Sequence, residues 1–223
     1  KGILAADEST GTIAKRFKSI NVENTEVNRL AFRETLFKSE AIKNYIGGII
    51  LFDETIRQKT SSGLSVPELI VKNGSIPGIK VDKGAKVLSG SPEETVTEGL
   101  DGLRDRLKEY YKLGARFTKW RAVIKIADNY PTVQCIKSNS HALARYAAMV
   151  QECNMVPIVE PEVLMDGNHS AEVCYEKTSE VIKKCFEELI IHKVDLKGII
   201  LKPNMILAGN KSKDKISNEE VAK

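Results

Sequence analysis

Gly198-Ile199-Ile200-Leu201-Lys202-Pro203-Asn204-Met205 is the stretch on which the reading of this chain turns. Residues 198 to 201 are uncharged and small or apolar, and they read as a buried strand. Lys202 stands at its end. An ammonium beside a buried strand is costly, because desolvation disfavours the charged form. An amine relieved of its proton is a nucleophile that forms a Schiff base with a carbonyl carbon. Pro203 lacks a backbone donor and ends the strand just past the amine. Taken alone, Lys202 reads as a rim lysine reaching for water. Its meaning depends on what the other strand ends carry.

Working outward, apolar runs alternate with helical patterns along the chain. The strand runs are Gly2–Ala6, Ile46–Phe52, Ile76–Ile79, Arg116–Ile126, Val156–Val159 and the stretch above. Helices are expected over roughly 25–45, 66–71, 138–153 and 170–192, with apolar residues on one face. Ser91-Pro92-Glu93-Glu94 has the form of a capping box with proline at the first helical position, and predicts a helix running to about Leu113. Ser217-Asn218-Glu219-Glu220 predicts another helix start. Continuous apolar strands joined by helices imply a parallel sheet covered on both faces. No GxGxxG follows the first strand, which argues against a dinucleotide fold. Asp7, Lys80, Glu160 and Lys202 each follow an apolar run, and Lys119 lies within one. Barrel enzymes place catalytic groups at the C-terminal ends of several strands. The expectation is therefore a (β/α)8 TIM barrel of which about six βα units are present, a single domain over 1–223 that is incomplete at both ends. If the chain ends at Lys223, the expectation is an open barrel without turnover.

Composition sets the limits. At 223 residues, with 42% hydrophobic and 29% charged content, the chain has ample core for a globular domain. Its net charge of +4 comes from 34 basic and 30 acidic residues spread along the sequence. That gives no basic block for nucleic acid, and no apolar run approaches membrane-spanning length. The four cysteines are widely spaced and read as reduced core residues of a cytoplasmic protein. The three histidines, His141, His169 and His192, are isolated in sequence and predict no zinc site.

If the strand-end groups share one barrel mouth, they form a set suited to amine chemistry. Glu160 and Glu162 flank Pro161, and residues two apart on a strand face one side. Like charges held close favour a proton on one of them, giving an acid for carbinolamine dehydration. Asp7 supplies a separate base. Ser9, Thr12, Lys15, Arg16, Arg29 and Arg121 add hydroxyls and cations suited to phosphate oxygens. For Lys15 and Arg29 a solvated helix surface is an equally good reading.

Five segments then bear a resemblance: 2–11, 78–84, Lys119-Trp120-Arg121, 156–162 and 201–205 are similar, in this order, to class I fructose-bisphosphate aldolases. What the resemblance implies is a TIM-barrel lyase of glycolysis and gluconeogenesis, cytoplasmic and homotetrameric when full length. It needs no cofactor or metal, and it cleaves fructose 1,6-bisphosphate to dihydroxyacetone phosphate and glyceraldehyde 3-phosphate. By motif match, Lys202 is the Schiff-base lysine and Glu160 the acid/base, supported by Glu162 and Lys119. Asp7 handles the proton of the substrate's C4 hydroxyl. Lys80, Ser9 and Thr12 fall at positions for the 6-phosphate, and Arg16, Arg29 and Arg121 at substrate-contact arginines. The family's helix before Lys1 has no counterpart in the sequence. Its 1-phosphate loops and its tail ending in tyrosine, beyond Lys223, have none either. Two other readings stand beside this one. Another Schiff-base barrel, such as a transaldolase or deoxyribose-phosphate aldolase, is disfavoured by Glu160/Glu162 and Asp7-Glu8-Ser9. A non-catalytic role binding actin or adaptor tails is neither indicated nor excluded by the sequence.

Overall fold

A computed structural model describes residues 1–214 and 216–222. The elements run β1 (Gly2–Ala6), α1 (Thr10–Ser19), α2 (Glu26–Phe37), α3 (Glu40–Tyr45), β2 (Ile46–Leu51), α4 (Asp53–Ile56), α5 (Val66–Lys72) and β3 (Ile76–Lys80). They continue through β4 (Ala85–Leu88), β5 (Ser91–Thr97), α6 (Leu103–Lys112), β6 (Phe117–Ile124), α7 (Val133–Glu152), β7 (Val156–Val163), α8 (Ala171–Ile191), β8 (Ile200–Leu201) and α9 (Asn218–Val221). The six long-range strands lie in the order β1-β2-β3-β6-β7-β8, and β4-β5 form a separate two-stranded sheet. The strand order follows the chain order and never reverses. A doubly wound sheet has a reversal at its switch point, whereas barrel strands succeed one another.

Two compact units emerge from the contacts. One comprises Lys1–Val81, Arg104–Lys119 and Cys153–Met155, and the other Asp82–Leu103, Trp120–Glu152 and Val156–Lys223. In the first, β1 pairs in parallel with β2, β2 with β3, and β3 with the start of β6. Its apolar strand residues Ile49, Ile50, Leu51 and Ile79 are at most 1% exposed, as expected for parallel strands covered on both faces. Gly78 faces Phe117 across the ladder. A Cβ built on Gly78 would lie 2.3 Å from the Phe117 ring, and one on Gly48 would lie 3.0 Å from it. Two glycines thus make room for one buried aromatic. In the second unit, Leu88, Ile124, Ile126, Cys135, Ile136, Val163, Cys174 and Val181 form one core cluster. Trp120 and Tyr146, both fully buried, pack in this unit with ring centroids 5.4 Å apart and planes tilted by 31°.

Several sequence expectations are corrected. No helix starts at Ser91: Ser91–Thr97 is strand β5, antiparallel to β4. Thr95, Val96 and Thr97 are β-branched or threonine-like and favour the extended form, and β4 offers them a ladder. Gly99 and Gly102, with φ of +130° and +64°, separate this strand from the helix that does form at Leu103. Glu94 still bonds the Ser91 hydroxyl, at 2.7 Å. Its carboxylate also accepts from the Thr132 N–H at 2.8 Å and the Thr132 hydroxyl at 2.6 Å. The box therefore anchors the start of α7 instead of opening its own helix.

The single helix expected over 25–45 is two, because Ser39 caps a new start with its side chain. Helix α1, over a stretch outside the helices expected, is capped by Ser9 and buries Ile13 and Phe17. Helix α7 begins at Val133, ahead of the expected 138. The strand quoted at the outset is shorter and less buried than expected. Only Ile200 and Leu201 are strand, half-buried, after a single turn of 3₁₀ helix over Leu196–Gly198. Last in the strand order, β8 pairs with β7, its one ladder partner among the described residues.

Candidate active site

In the first unit, β1 ends at Ala6 and Asp7 follows it. Asp7 and Lys119 are 6% and 7% exposed, and the Lys119 Nζ lies 2.6 Å from Asp7 Oδ2. Two opposite charges buried at this distance neutralise one another where water cannot. The ladder that presents Lys119 also pairs it with Lys80, its register partner on β3. Ser9, just past Asp7, caps α1: its Oγ accepts from the Thr12 N–H at 3.4 Å and lies 3.1 Å from the Thr12 hydroxyl. Helix α1 thus starts with two hydroxyls at its N-terminus, the end of a helix that carries partial positive charge. Arg16 is exposed and bonds Glu8. Arg29 is buried, not solvated: it donates to Glu54 at 2.8 and 2.6 Å and to Asn24 at 3.0 and 3.1 Å. Lys15, on α1, is exposed, as a solvated helix surface implies.

One residue of this unit escaped the sequence reading. Arg33 is 1% exposed. Its guanidinium donates to the Glu8 backbone carbonyl and, at 2.7 Å, to the Thr55 hydroxyl. Burial lowers its pKa against the opposing pull of Glu8. Arg33 therefore clamps the turn that carries Asp7. The signal was present: Arg29, Arg33 and Phe37 are spaced i, i+4, i+8 on one face, and that face, with Glu34, is the buried one.

In the second unit, β7 carries Glu160 and Glu162, and β8 delivers Lys202 beside it. The Lys202 N–H bonds the Val159 carbonyl at 2.9 Å, which fixes the lysine next to Glu160. The Lys202 ammonium contacts Glu160 Oε1. Glu160 is 2% exposed, while the Lys202 side chain is 49% exposed. The lysine expected beside an apolar wall is thus half-exposed. Its environment is set by a buried carboxylate. Glu162 bonds Arg121 on β6. Each carboxylate thus has a cation of its own, and the expected acid pair is two ion pairs. Burial opposes the Arg121 charge, yet Glu162 outweighs it and raises the guanidinium pKa. Pro203 ends the strand as expected. Asn204 then locks the segment, accepting from the Val163 N–H at 3.0 Å and donating to the Thr178 hydroxyl at 3.1 Å.

The cysteines are all free, and Cys135, Cys174 and Cys185 are buried, in line with the reduced-core reading. Among the described residues no helix is long and apolar enough to cross a membrane. One grouping was not visible in the sequence: His141, Glu188 and His192, separated along the chain, come within 4.8 Å of one another.

Comparison with known proteins bears on the family and the fold. A model of the glycolytic class-I fructose-bisphosphate aldolase family matches residues 1–223. The chain is 57% identical over 222 residues to a probable class 1 fructose-bisphosphate aldolase of Xanthomonas axonopodis pv. citri, covering all of this chain and 66% of that protein. It is 55% identical over 223 residues to the cytosolic fructose-bisphosphate aldolase 4 of Arabidopsis thaliana, covering 57% of it. A solved fructose-bisphosphate aldolase from Plasmodium falciparum, in complex with TRAP and a small-molecule inhibitor, superposes with a TM-score of 0.97 at 48% identity. That match covers 99% of this chain and 64% of that one. The chain thus spans about two thirds or less of the relatives it matches. The fold expected from the strand order, about six βα units of a TIM barrel, is the fold of the solved aldolase over this length. From its first residue to its last the chain belongs to the class I fructose-bisphosphate aldolase family.

Proposed function

We propose that this chain carries the Schiff-base chemistry of a fructose-bisphosphate aldolase, cleaving fructose 1,6-bisphosphate to dihydroxyacetone phosphate and glyceraldehyde 3-phosphate in the cytoplasm. The observation that carries the reading is the Lys202 ammonium, at the end of β8, resting on the buried Glu160 carboxylate of the adjacent strand β7. That contact gives the lysine a place to leave its proton. Transfer from Nζ to Oε1 yields a neutral amine and a carboxylic acid together. The amine adds to the substrate ketone, and the carbinolamine that forms loses its hydroxyl as water. Glu160 returns the proton that this departure needs, leaving an iminium on Lys202. The iminium draws electrons from the C3–C4 bond as that bond breaks. Asp7, ion-paired with Lys119, takes the proton of the C4 hydroxyl and releases the aldehyde. Glu162 and Arg121 hold one another beside this reaction. Ser9 and Thr12 at the start of α1, with Lys80 at the end of β3, fit a phosphate by charge and by donor count. Arg16 and Arg29 remain candidate substrate contacts from the family resemblance. The homotetramer is carried over from the same resemblance.

The experiment is reduction with borohydride in the presence of dihydroxyacetone phosphate. The expected result is a covalent adduct mapped to Lys202 and absent from Lys202→Met. An unmodified Lys202, or an adduct on another lysine, overturns the proposal. A partner-binding role draws support from the Plasmodium falciparum relative in complex with TRAP. A pull-down with Lys202→Met tests it apart from catalysis.

A further inference from the structure

Helices α7 and α8 bring together three side chains that the aldol chemistry does not use. His141 lies on α7, Glu188 in the last turn of α8, and His192 is the C-cap of α8. His141 Nδ1 is 3.2 Å from Glu188 Oε2. His192 Nδ1 is 3.9 Å from the same oxygen, and the two imidazole centroids are 4.8 Å apart. Metal–ligand bonds of about 2.0–2.2 Å at tetrahedral angles place neighbouring ligand atoms roughly 3.3–3.6 Å apart. The His141–Glu188 separation is close to that edge already, and small side-chain rotations bring in the third ligand.

The surroundings support a ligand role. His192 Nδ1 lies 2.9 Å from the Glu188 backbone carbonyl. Its Nδ1–H donates there, so Nε2 holds the lone pair and is the atom this ring offers an ion, while the 3.9 Å from Nδ1 marks only how near the ring lies to Glu188. This outer bond is the one metal-binding imidazoles characteristically make. Lys184 Nζ sits 3.6 Å from the other carboxylate oxygen, Glu188 Oε1, and so turns Oε2 toward the histidines. The carbonyls at the C-terminus of α8 carry partial negative charge that favours a cation. His141 is 51% exposed, so an ion has a path in, while Glu188 at 14% and His192 at 21% are largely covered.

We propose that His141, Glu188 and His192 form a binding site for a borderline divalent transition-metal ion of the zinc class, which ties α7 to α8. Two imidazoles and one carboxylate select zinc, cobalt or nickel over magnesium and calcium, which prefer all-oxygen ligands. The site lies at the end of α8 away from Thr178, which bonds Asn204 beside Lys202. It is therefore a structural clamp and not part of the reaction.

The test is titration of the protein with Zn²⁺ in competition with a zinc-responsive dye, with Mg²⁺ as the control ion. One equivalent of Zn²⁺ is expected to bind and to raise the melting temperature. Affinity should fall at least tenfold in His141→Ala, His192→Ala and Glu188→Gln, each checked for native circular dichroism. His141→Ala removes a half-exposed ring and leaves the fold intact, so it decides the matter should the others unfold. Co²⁺ should give the visible absorption of a four- or five-coordinate site, lost in the same variants. The proposal is overturned by Zn²⁺ binding no tighter than Mg²⁺. It is equally overturned by an affinity unchanged in His141→Ala, which would assign the ion to other ligands such as the partly exposed Cys153.

Discussion

Replacing Gly78 by alanine tests how closely the strands that present Lys80 and Lys119 are packed. The new Cβ would meet the Phe117 ring at 2.3 Å. Carbon atoms rest at roughly 3.5–4.0 Å, so the ring or the strand must give by more than about 1 Å. Phe117 is 6% exposed, and a Cβ built on Gly48 would meet the same ring at 3.0 Å, so free space is scarce. Overpacking of this kind costs about 1–3 kcal/mol. For a chain of this length the melting temperature should fall by about 2–12 °C. Because Gly78↔Phe117 and Lys80↔Lys119 share one ladder, strain at Gly78 also displaces both lysines. The assay is thermal and urea denaturation of Gly78→Ala, Phe117→Leu and the double variant. Phe117→Leu removes the ring the new methyl strikes, so the double variant should be at least about 1 kcal/mol more stable than the sum of the single effects. Strict additivity, or a Gly78→Ala protein as stable as the parent, would refute the packing argument.

Other outcomes follow from the same geometry. Lys119→Met leaves Asp7 as a buried charge without its cation and should cost about 3–5 kcal/mol, with Asp7→Asn/Lys119→Met recovering part of it in urea melts. Burial opposes charge on Glu94, but its bonds from Thr132 and Ser91 outweigh this and hold the carboxyl below its usual range. A depressed carboxyl contributes stability above its unfolded value and loses it as pH falls through the folded one. Glu94→Gln should therefore lose about 1–3 kcal/mol at neutral pH. It should also show a weaker loss of stability below about pH 4.5, read as urea midpoints at the two conditions. Burial pushes the Cys135 and Cys185 thiols up to about 12, so a thiol-specific reagent on the native protein should modify Cys153 well before either. Mass mapping that finds Cys185 modified as fast as Cys153 would contradict this.

Much of the site was legible because its chemistry sits at strand ends. Apolar runs in a period of strand then helix mark where a parallel strand stops, and the residue after each run is the one presented there. Asp7, Lys80 and Lys202 were found this way. Glu160, placed by the sequence at a strand end, lies within β7. Partnership was less legible. Glu160 and Glu162 looked like one acid pair because only their spacing was visible, while their cations, Lys202 and Arg121, are 42 and 41 positions away. Arg33 was passed over because a charge on a helix is ordinarily solvated, and only the packing of α2 shows that its arginine face is the buried one.

By itself, then, the sequence determined the alternation of strands and helices, the amine at Lys202 and the carboxylate at Glu160, since hydrophobic periodicity and residue chemistry are local properties. The tertiary structure decided the rest. Ser91–Thr97 became a strand because β4 lies alongside it, and its capping residues served another helix. Lys202 met a carboxylate instead of an apolar wall, because β8 pairs with β7, which carries Glu160. His141 and His192 became neighbours only when α7 packed on α8. Each of these depends on groups far apart in the chain, and the free energy of such contacts is fixed by folding and not by neighbours in sequence.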